Sequence, residues 1–363
     1  MAKLEAAALF PILSNQTTGI ARLAAEAEHA DDGHLIEFKA LKARSILNRT
    51  VSKRGLRFAH SINPYRGCEF GCKYCYARYT HEFMELRDPL AFERIIFLKQ
   101  NAAWLLEQEL RHVKPNEEIA LGTATDPYQP IERRACITRS LLEVFARHAG
   151  YRLGIVTKSK LIERDTDLLV EIAKRNALVI HITITTQNAD LARLLEPRAP
   201  RPDLRFGVVR HLRDAGLRVG VLCCPLLPGI TDSEDAIEGM ARRAAAAGAS
   251  FFAANPLFLK PCSRPTYLSF VREHFPALEA DYHRRFDHAD FAAKPYRQQR
   301  TQMVERACRK YSLGRRSTGD MMTRTASPDA EHPPLISGPG KREPRSDRPQ
   351  ASYARARQQR LFA

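Results

Sequence analysis

The feature that most constrains this chain is an alternation of short apolar runs with longer amphipathic ones, which starts near Ile62 and is repeated six times. The runs "SINPYRGC", "EEIALGT", "YRLGIVTKS", "LVIHITITT", "LRVGVLCCP" and "SFFAANPLF" read as strands, being short and rich in β-branched and aromatic residues. Between them, "AFERIIFLKQNAAWLLEQELRHV", "TRSLLEVFARHAG", "ERDTDLLVEIAKRN", "PDLRFGVVRHLRDAG" and "SEDAIEGMARRAAAAGA" carry helix-spaced apolar residues. Asp203 and Ser233 stand where helices would start, and Gly150, Gly216 and Gly248 just past where they would end. Strand–helix units in series imply parallel strands joined by right-handed crossovers. The expected fold is therefore α/β, a partial (β/α)6 TIM-type barrel with a helical C-terminal cover. Chemistry in such barrels collects at the carboxyl ends of the strands. There the unusual residues fall: a cysteine cluster, then "GTATDPYQP", "TKSK", "TTQ", "CCPLLPG" and "NPLF".

A length of 363 residues suits one such barrel with extensions. Residues 1–53 show weak helical patterning and read as an N-terminal extension, 54–287 as the barrel core and 288–313 as a C-terminal helix. Residues 314–363 are basic, rich in Pro, Ser, Arg and Asp and poor in apolar side chains, so a disordered tail is expected there. Lys and Arg number 57 against 41 Asp and Glu, a formal charge of +16 that would concentrate a polyanion, and nucleic acid is the expected partner. No apolar run reaches the roughly 18 residues of a membrane span, and "MAKLEAAALFPILSNQ" is broken by an acid and a proline. A cytoplasmic protein without membrane contact is expected.

Eight cysteines in a chain of this length are too few for a disulfide scaffold. Cys68, Cys72 and Cys75 fall within eight residues, a spacing that lets one loop aim three thiolates at a common point, as soft metals require. Structural zinc would need a fourth ligand, for which His81 is the nearby candidate. A [4Fe–4S] cluster on three thiolates would instead leave one iron open for reaction. Cys136, Cys223, Cys224 and Cys262 read first as buried small hydrophobes.

The pattern CxxxCxxC followed by βα units resembles the radical S-adenosylmethionine superfamily. From Ser61 to Gly229, with "NPYRGC", "YCYAR" and "GTATDPYQP", the chain is similar to the spore-photoproduct-lyase-like branch loosely called DNA repair photolyases. That resemblance implies a [4Fe–4S] cluster on Cys68, Cys72 and Cys75, with S-adenosylmethionine on the unique iron. It also implies an electron donor such as flavodoxin or ferredoxin, and a 5′-deoxyadenosyl radical. By position, Tyr74 and Tyr76 match the tyrosines implicated in radical relay, with Tyr74 also against the adenosyl group. Lys158 matches a lysine that reaches the cofactor carboxylate, Thr183 a cofactor-contacting serine, and Glu196 and Arg205 a pair at the cofactor's polar end. Gly122, followed by Thr123 and Thr125, matches a strand end where backbone approaches the methionyl amino group, and all three are expected to bind the cofactor.

The chain also departs from this relative. Where the lyase has a hydrogen-donating cysteine, it reads Thr123-Ala124-Thr125-Asp126, and a hydroxyl O–H bond is too strong for that task. Cys223 and Cys224 could supply a replacement thiol. Tyr128 and Gln129, in a turn stiffened by Pro127 and Pro130, are expected at the mouth as substrate-selecting groups. At the other end of the chain, Gln358, Leu361 and Phe362 fit a Gln-x-x-Leu-Phe pattern, similar to peptides that dock on the bacterial DNA sliding clamp. The expected activity is radical chemistry on nucleic acid, as lesion repair or base modification. The alternatives are radical modification of a peptide or small metabolite, and a non-catalytic iron-sulfur or zinc module.

Overall fold

A computed structural model describes residues 19–25, 29–33, 36–49, 59–114 and 117–315. The clamp-like motif at Gln358, Leu361 and Phe362, the tail from residue 316 onward and much of the N-terminal extension lie outside the described residues.

Six parallel strands form the expected partial barrel: β4 (His60–Ile62), β7 (Glu118–Leu121), β8 (Arg152–Thr157), β9 (Ala177–Thr183), β10 (Val219–Leu226) and β11 (Phe251–Pro256). They are neighbours in chain order, as successive right-handed crossovers require. Two short strands extend the sheet at its edges. β3 (Leu47–Arg49) pairs antiparallel with β4, and β12 (Gly314–Arg315) pairs parallel with β11. Residues 314 and 315, expected at the start of a disordered tail, are thus part of the sheet.

A second sheet departs from the sequence-based expectation. β1 (His29–Gly33), β2 (Ile36–Ala40), β5 (Tyr65–Arg66) and β6 (Ile95–Leu98) form it in the order β1-β2-β6-β5. The extension read as weakly helical therefore supplies strands as well as the short helix Gly19–Ala25. The segment read as one long helix from Ala91 splits into a single turn, Ala91–Arg94, then β6, then the helix Ala102–Glu109. The cause is local. Ile95-Ile96-Phe97-Leu98 is a continuous β-branched and aromatic run, which fits a covered strand better than a one-sided helix.

Alternation along the barrel strands sorts side chains into two layers. Ile62, Ile119, Leu121, Leu153, Ile155, Ile180, Ile182, Val219, Val221 and Phe252 pack outward against the helices in the main core. Val156, Val179, Leu222, Phe251 and Ala253 face inward as a separate apolar plug. Phe251 lies so close over Gly220 that an added Cβ would meet its ring at 2.2 Å, so only glycine fits there. The plug closes the barrel floor and leaves polar inward positions near the carboxyl ends of the strands.

The C-terminal helices Arg264–His274 and Glu279–Phe286 carry a smaller core in which Tyr267, Phe270, Val271, Tyr282 and Phe286 pack with Phe70, Cys68 and Cys72. The helix Lys294–Lys310 contributes Val304, Ala307 and Cys308 to the main core. The cover expected from sequence thus lies directly on the cysteine loop.

Candidate active site at the carboxyl end of the barrel

The loop after β5 is held along its whole length before any ligand arrives. Gly67 has φ of +84°, and a Cβ there would meet the carbonyls of Ile95 and Phe92 at 2.8 Å, which excludes other residues. Its own carbonyl accepts from Thr125 Oγ1 at 2.5 Å and Gln129 Nε2 at 3.4 Å. The Glu69 amide donates to Gln129 Oε1 at 2.8 Å, and the Cys68 amide to the Phe92 carbonyl at 2.9 Å. Arg78 Nη2 donates to the Cys72 carbonyl at 3.2 Å and pairs with Glu93 at 2.8 Å, and Ser263 Oγ donates to the Cys75 carbonyl at 2.6 Å. Arg198 Nε donates to the Glu69 carbonyl.

These contacts correct one expectation. Tyr128 and Gln129 do not line the mouth, because both side chains are fully buried. The segment "DPYQP" instead folds inward, and Gln129 and Thr125 act as braces under the cysteine loop. The rigidity expected of its prolines is present, but it serves the loop rather than the substrate.

Cys68, Cys72 and Cys75 are free thiols, the first two buried and the third half-buried, and the backbone amides of Asp126 and Ala77 donate toward the Cys68 and Cys75 sulfurs. Burial pushes all three thiols up, Cys72 to about 12, and each is also raised by a neighbouring thiol or carboxylate. Three soft donors gathered on one loop where burial makes ionisation costly, two of them beside backbone amides that favour the thiolate, fit a group that binds thiolates and supplies positive charge. His81 does not join them. Its Nε2 lies 2.9 Å from the Ile95 carbonyl, and its ring sits edge-on to Phe92 and Phe97 at 5.3 and 6.0 Å. A Cys3His zinc site therefore lacks its fourth ligand. Among the described residues no three His, Cys, Asp or Glu side chains are gathered for a single ion.

Next to the thiols lies a buried polar network. The Tyr74 hydroxyl donates to Glu196 and lies 2.9 Å from Thr185 Oγ1, and Thr185 Oγ1 donates to the same carboxylate at 2.9 Å. Arg205 Nη2 pairs with Glu196 at 2.5 Å, while its Nη1 donates to the Thr183 carbonyl at 3.1 Å. Burial alone would raise the Glu196 carboxyl, but Arg205 and Lys158 outweigh it and hold it below its ordinary value. Tyr74 is pushed well above the usual phenol range, first by burial and then by Glu196, so it stays a donor. Lys158, at the end of β8, sits 5.8 Å over the Tyr74 ring, and its ammonium has no acceptor among the described residues. Its strand position is fixed by Asp126, which accepts from the Lys158 amide at 2.7 Å and from Thr157 Oγ1 at 2.6 Å.

The remaining expected residues divide by the face they occupy. Gly122 has φ of +88°, and a Cβ would meet Pro127 and the Val156 carbonyl at 2.6 Å. Thr123 lies beside it, its hydroxyl near Asn63 Nδ2 at 3.2 Å and its carbonyl accepting from the Tyr76 hydroxyl. Thr183 is buried on the inward face, but the hydroxyl that reaches Tyr74 and Glu196 belongs to Thr185, two residues on. Cys223 faces outward in the main core, with Sγ 3.6 Å from the Thr185 carbonyl, whereas Cys224 packs with the inward plug and receives Asn255 Nδ2 at 3.7 Å. Only one of the two thiols faces the barrel interior.

Sequence reasoning missed an aromatic and cationic rim beside the cysteine loop. Tyr76 is 41% exposed, 6.1 Å from Phe258, which stacks on Phe291 at 4.5 Å. Lys260 Nζ lies 4.0 Å over the Tyr79 ring and 5.9 Å over Phe258, and Arg297 lies 5.4 Å over Phe291. Phe83, 43% exposed, extends the band through an edge contact with Tyr79 at 5.7 Å. "NPLFLK" after the sixth strand was the available signal, since an aromatic and a lysine two residues apart point the same way from extended chain.

A barrel with three free thiols gathered on the loop at its carboxyl rim, above a buried tyrosine–carboxylate–arginine network, defines a protein built to hold an iron-sulfur cluster beside a polar cofactor. Comparison with known proteins gives the family. Residues 62–241 match the Radical SAM superfamily model, and this chain belongs to that superfamily, whose members use a [4Fe–4S] cluster and S-adenosylmethionine. It is 31% identical over 297 residues to the uncharacterised protein Rv2578c of Mycobacterium tuberculosis, covering 82% of this chain and 85% of that one. It is 29% identical over 199 residues to the uncharacterised protein MJ0683 of Methanocaldococcus jannaschii, covering 55% of this chain and 71% of that one. Its fold is similar to that of a spore photoproduct lyase mutant, with a TM-score of 0.56, 17% identity, and 77% of this chain and 80% of that one covered. Another mutant of that lyase, solved with bound AdoMet and dinucleoside spore photoproduct, matches with the same TM-score at 15% identity and the same coverage of both chains. Among the described residues no helix is long and apolar enough to cross a membrane.

Proposed function

We infer that this enzyme starts radical chemistry on a nucleic acid, as lesion reversal or base modification. The observation that carries the substrate class is the aromatic and cationic rim of Tyr76, Tyr79, Phe258, Phe291, Lys260 and Arg297. Aromatic faces stack unpaired bases whatever their sequence, and cations beside them meet phosphates. The +16 charge acts in the same direction at longer range. A structural neighbour that binds a dinucleoside photoproduct supports the same class.

In this proposal Cys68, Cys72 and Cys75 hold the cluster, which when bound and reduced supplies the electron that cleaves S-adenosylmethionine to a 5′-deoxyadenosyl radical. The chain's own residues do the rest. Lys158 offers its ammonium to the cofactor carboxylate, and Gly122 allows the left-handed, closely packed strand end whose backbone would face the amino group. Glu196, fixed by Arg205, holds the Tyr74 hydroxyl and so sets the angle of the ring beside the third cysteine. The apolar plug at Leu222 and Phe251 keeps water from the barrel floor, where it would add a competing hydrogen source. Cys224, as the inward thiol, is the hydrogen donor that Thr123 cannot be.

The test is anaerobic reconstitution, followed by measurement of 5′-deoxyadenosine with damaged DNA, tRNA and peptide pools, each deuterated in turn. Deuterium in 5′-deoxyadenosine from a nucleic-acid pool alone supports the proposal. Label arriving only from peptides would transfer the activity to the rival substrate class. A protein that makes no 5′-deoxyadenosine under any condition would be a binding module.

A further inference from the structure

Lys99, directly after β6, is 4% exposed, yet its ammonium has no acceptor among the described residues. A buried charge without a partner is among the costliest arrangements a fold can hold. β5 and β6 pair antiparallel, with Arg66 opposite Phe97 and Tyr65 opposite Leu98. Residues two apart along a strand share a face, so Lys99 lies on the Phe97 face together with Arg66, as a diagonal neighbour. Arg66 likewise has no acceptor among the described residues, and its Nε is buried.

The carboxylates nearby are committed elsewhere. Glu109 receives the Ile46 and Leu47 amides at 3.1 and 2.7 Å and Ser45 Oγ at 3.1 Å. Glu37, on the same face of the sheet, pairs with Lys39 at 3.1 Å. Burial and the charge of Arg66 together pull Lys99 down to about 7, so it can shed part of the strain by losing its proton. Arg66 has no such escape, because a guanidinium keeps its proton. One oxyanion would satisfy both groups, with the planar fork of Arg66 and the point charge of Lys99 as complementary donors. Arg66 is only half-buried and lies within electrostatic reach of Tyr79, the ring under Lys260, so access to the buried Lys99 would run past Arg66 from the side of the aromatic rim.

We propose that Lys99 and Arg66 form a pocket for a phosphate-type oxyanion beside the mouth of the barrel. Inorganic phosphate and the backbone phosphate of a nucleic acid share the required chemistry. The pocket does not depend on which substrate the radical attacks.

The experiment uses the reconstituted full chain in calorimetric titrations with sodium phosphate against sodium chloride of equal ionic strength. Wild type is expected to take up one phosphate, and K99M to lose about tenfold or more in affinity, the loss expected for one charge-assisted hydrogen bond. R66Q should weaken binding similarly, while K39M should leave it unchanged. Iron content and melting temperature of each variant check folding, and K99M should melt no lower than wild type in chloride. Phosphate should raise the melting temperature of wild type but not of K99M. Absence of a phosphate-specific signal in wild type, or equal weakening in K39M, would overturn the proposal. A single-stranded oligonucleotide that displaces phosphate from wild type supports the pocket and assigns it to a nucleic-acid backbone. Retained phosphate binding beside the oligonucleotide supports it as a site for the free ion.

Discussion

Arg205 and Glu196 meet at 2.5 Å with both side chains about 1% exposed, and the same carboxylate also receives Tyr74 and Thr185. The pair joins the barrel to the cysteine loop, because Glu196 follows the helix Ala189–Leu195 while Tyr74 lies between two of the cysteines. Arg205→Met leaves the buried carboxylate without its direct ion-pair partner, with only Lys158 as counter-charge, and should cost about 3–5 kcal/mol, read from urea melts. The double variant with Glu196→Gln should recover part of that loss, since the carboxylate charge is then gone, and only part because Lys158 loses a counter-charge. A double-variant cost equal to the sum of the two single-variant costs would mean that the two charges do not interact.

Gln129 gives a second prediction, separating loop bracing from global stability. Gln129→Leu removes an acceptor for the Glu69 amide and a donor to Thr125, each left unsatisfied at about 1–3 kcal/mol. Because that amide adjoins Cys68, iron and sulfide per chain after anaerobic reconstitution should fall by more than melting temperature alone explains. Wild-type iron content in the variant would show that the loop keeps its shape without the brace.

The outline of this molecule was legible in its sequence because two strong periodic signals agree. Each βα unit repeats the same apolar pattern, and the cysteine spacing belongs to a single loop. The second sheet was not legible. The Ile95–Leu98 strand is flanked on both sides by helix-forming residues, and its partner strand β2 lies more than fifty residues earlier. Direction was also hidden: "DPYQP" reads equally well as a mouth or as a brace, and only the buried contacts of Gln129 decide. Between Cys223 and Cys224 the sequence offers no choice, whereas strand parity places one in each layer. The rim escaped because Tyr76, Phe258 and Phe291 are brought together from distant segments.

Strand parity gives a third prediction. Cys224→Ala should leave reductive cleavage of S-adenosylmethionine intact but lower product formed per 5′-deoxyadenosine, as abstraction proceeds without hydrogen return. Cys223→Ala should retain coupling and lose only about 1 kcal/mol of stability, from a small outer-core cavity. The two ratios, measured side by side on the nucleic-acid pool that gives turnover, decide the matter, and identical coupling in both variants would remove Cys224 from the chemistry.

His81 gives the last prediction, a pH dependence with a definite sign. It is 1% exposed, and burial, helped by Arg66 and Arg78, lowers it from 6.5 to about 4 despite the favourable contact with the Ile95 carbonyl. Above pH 6.5 the imidazole is neutral in both folded and unfolded chains, so it contributes no pH dependence. As pH falls from 6.5 toward 4 the unfolded chain takes up a proton that the folded chain refuses, and stability drops through that window by up to about 3 kcal/mol. His81→Gln keeps a donor toward Ile95 without a titrating group. The difference in unfolding free energy between wild type and this variant, measured in urea at pH 7, 5.5 and 4.5, should therefore shift against wild type as pH falls. A difference that stays constant across the three values would show that the ring titrates alike in folded and unfolded chains.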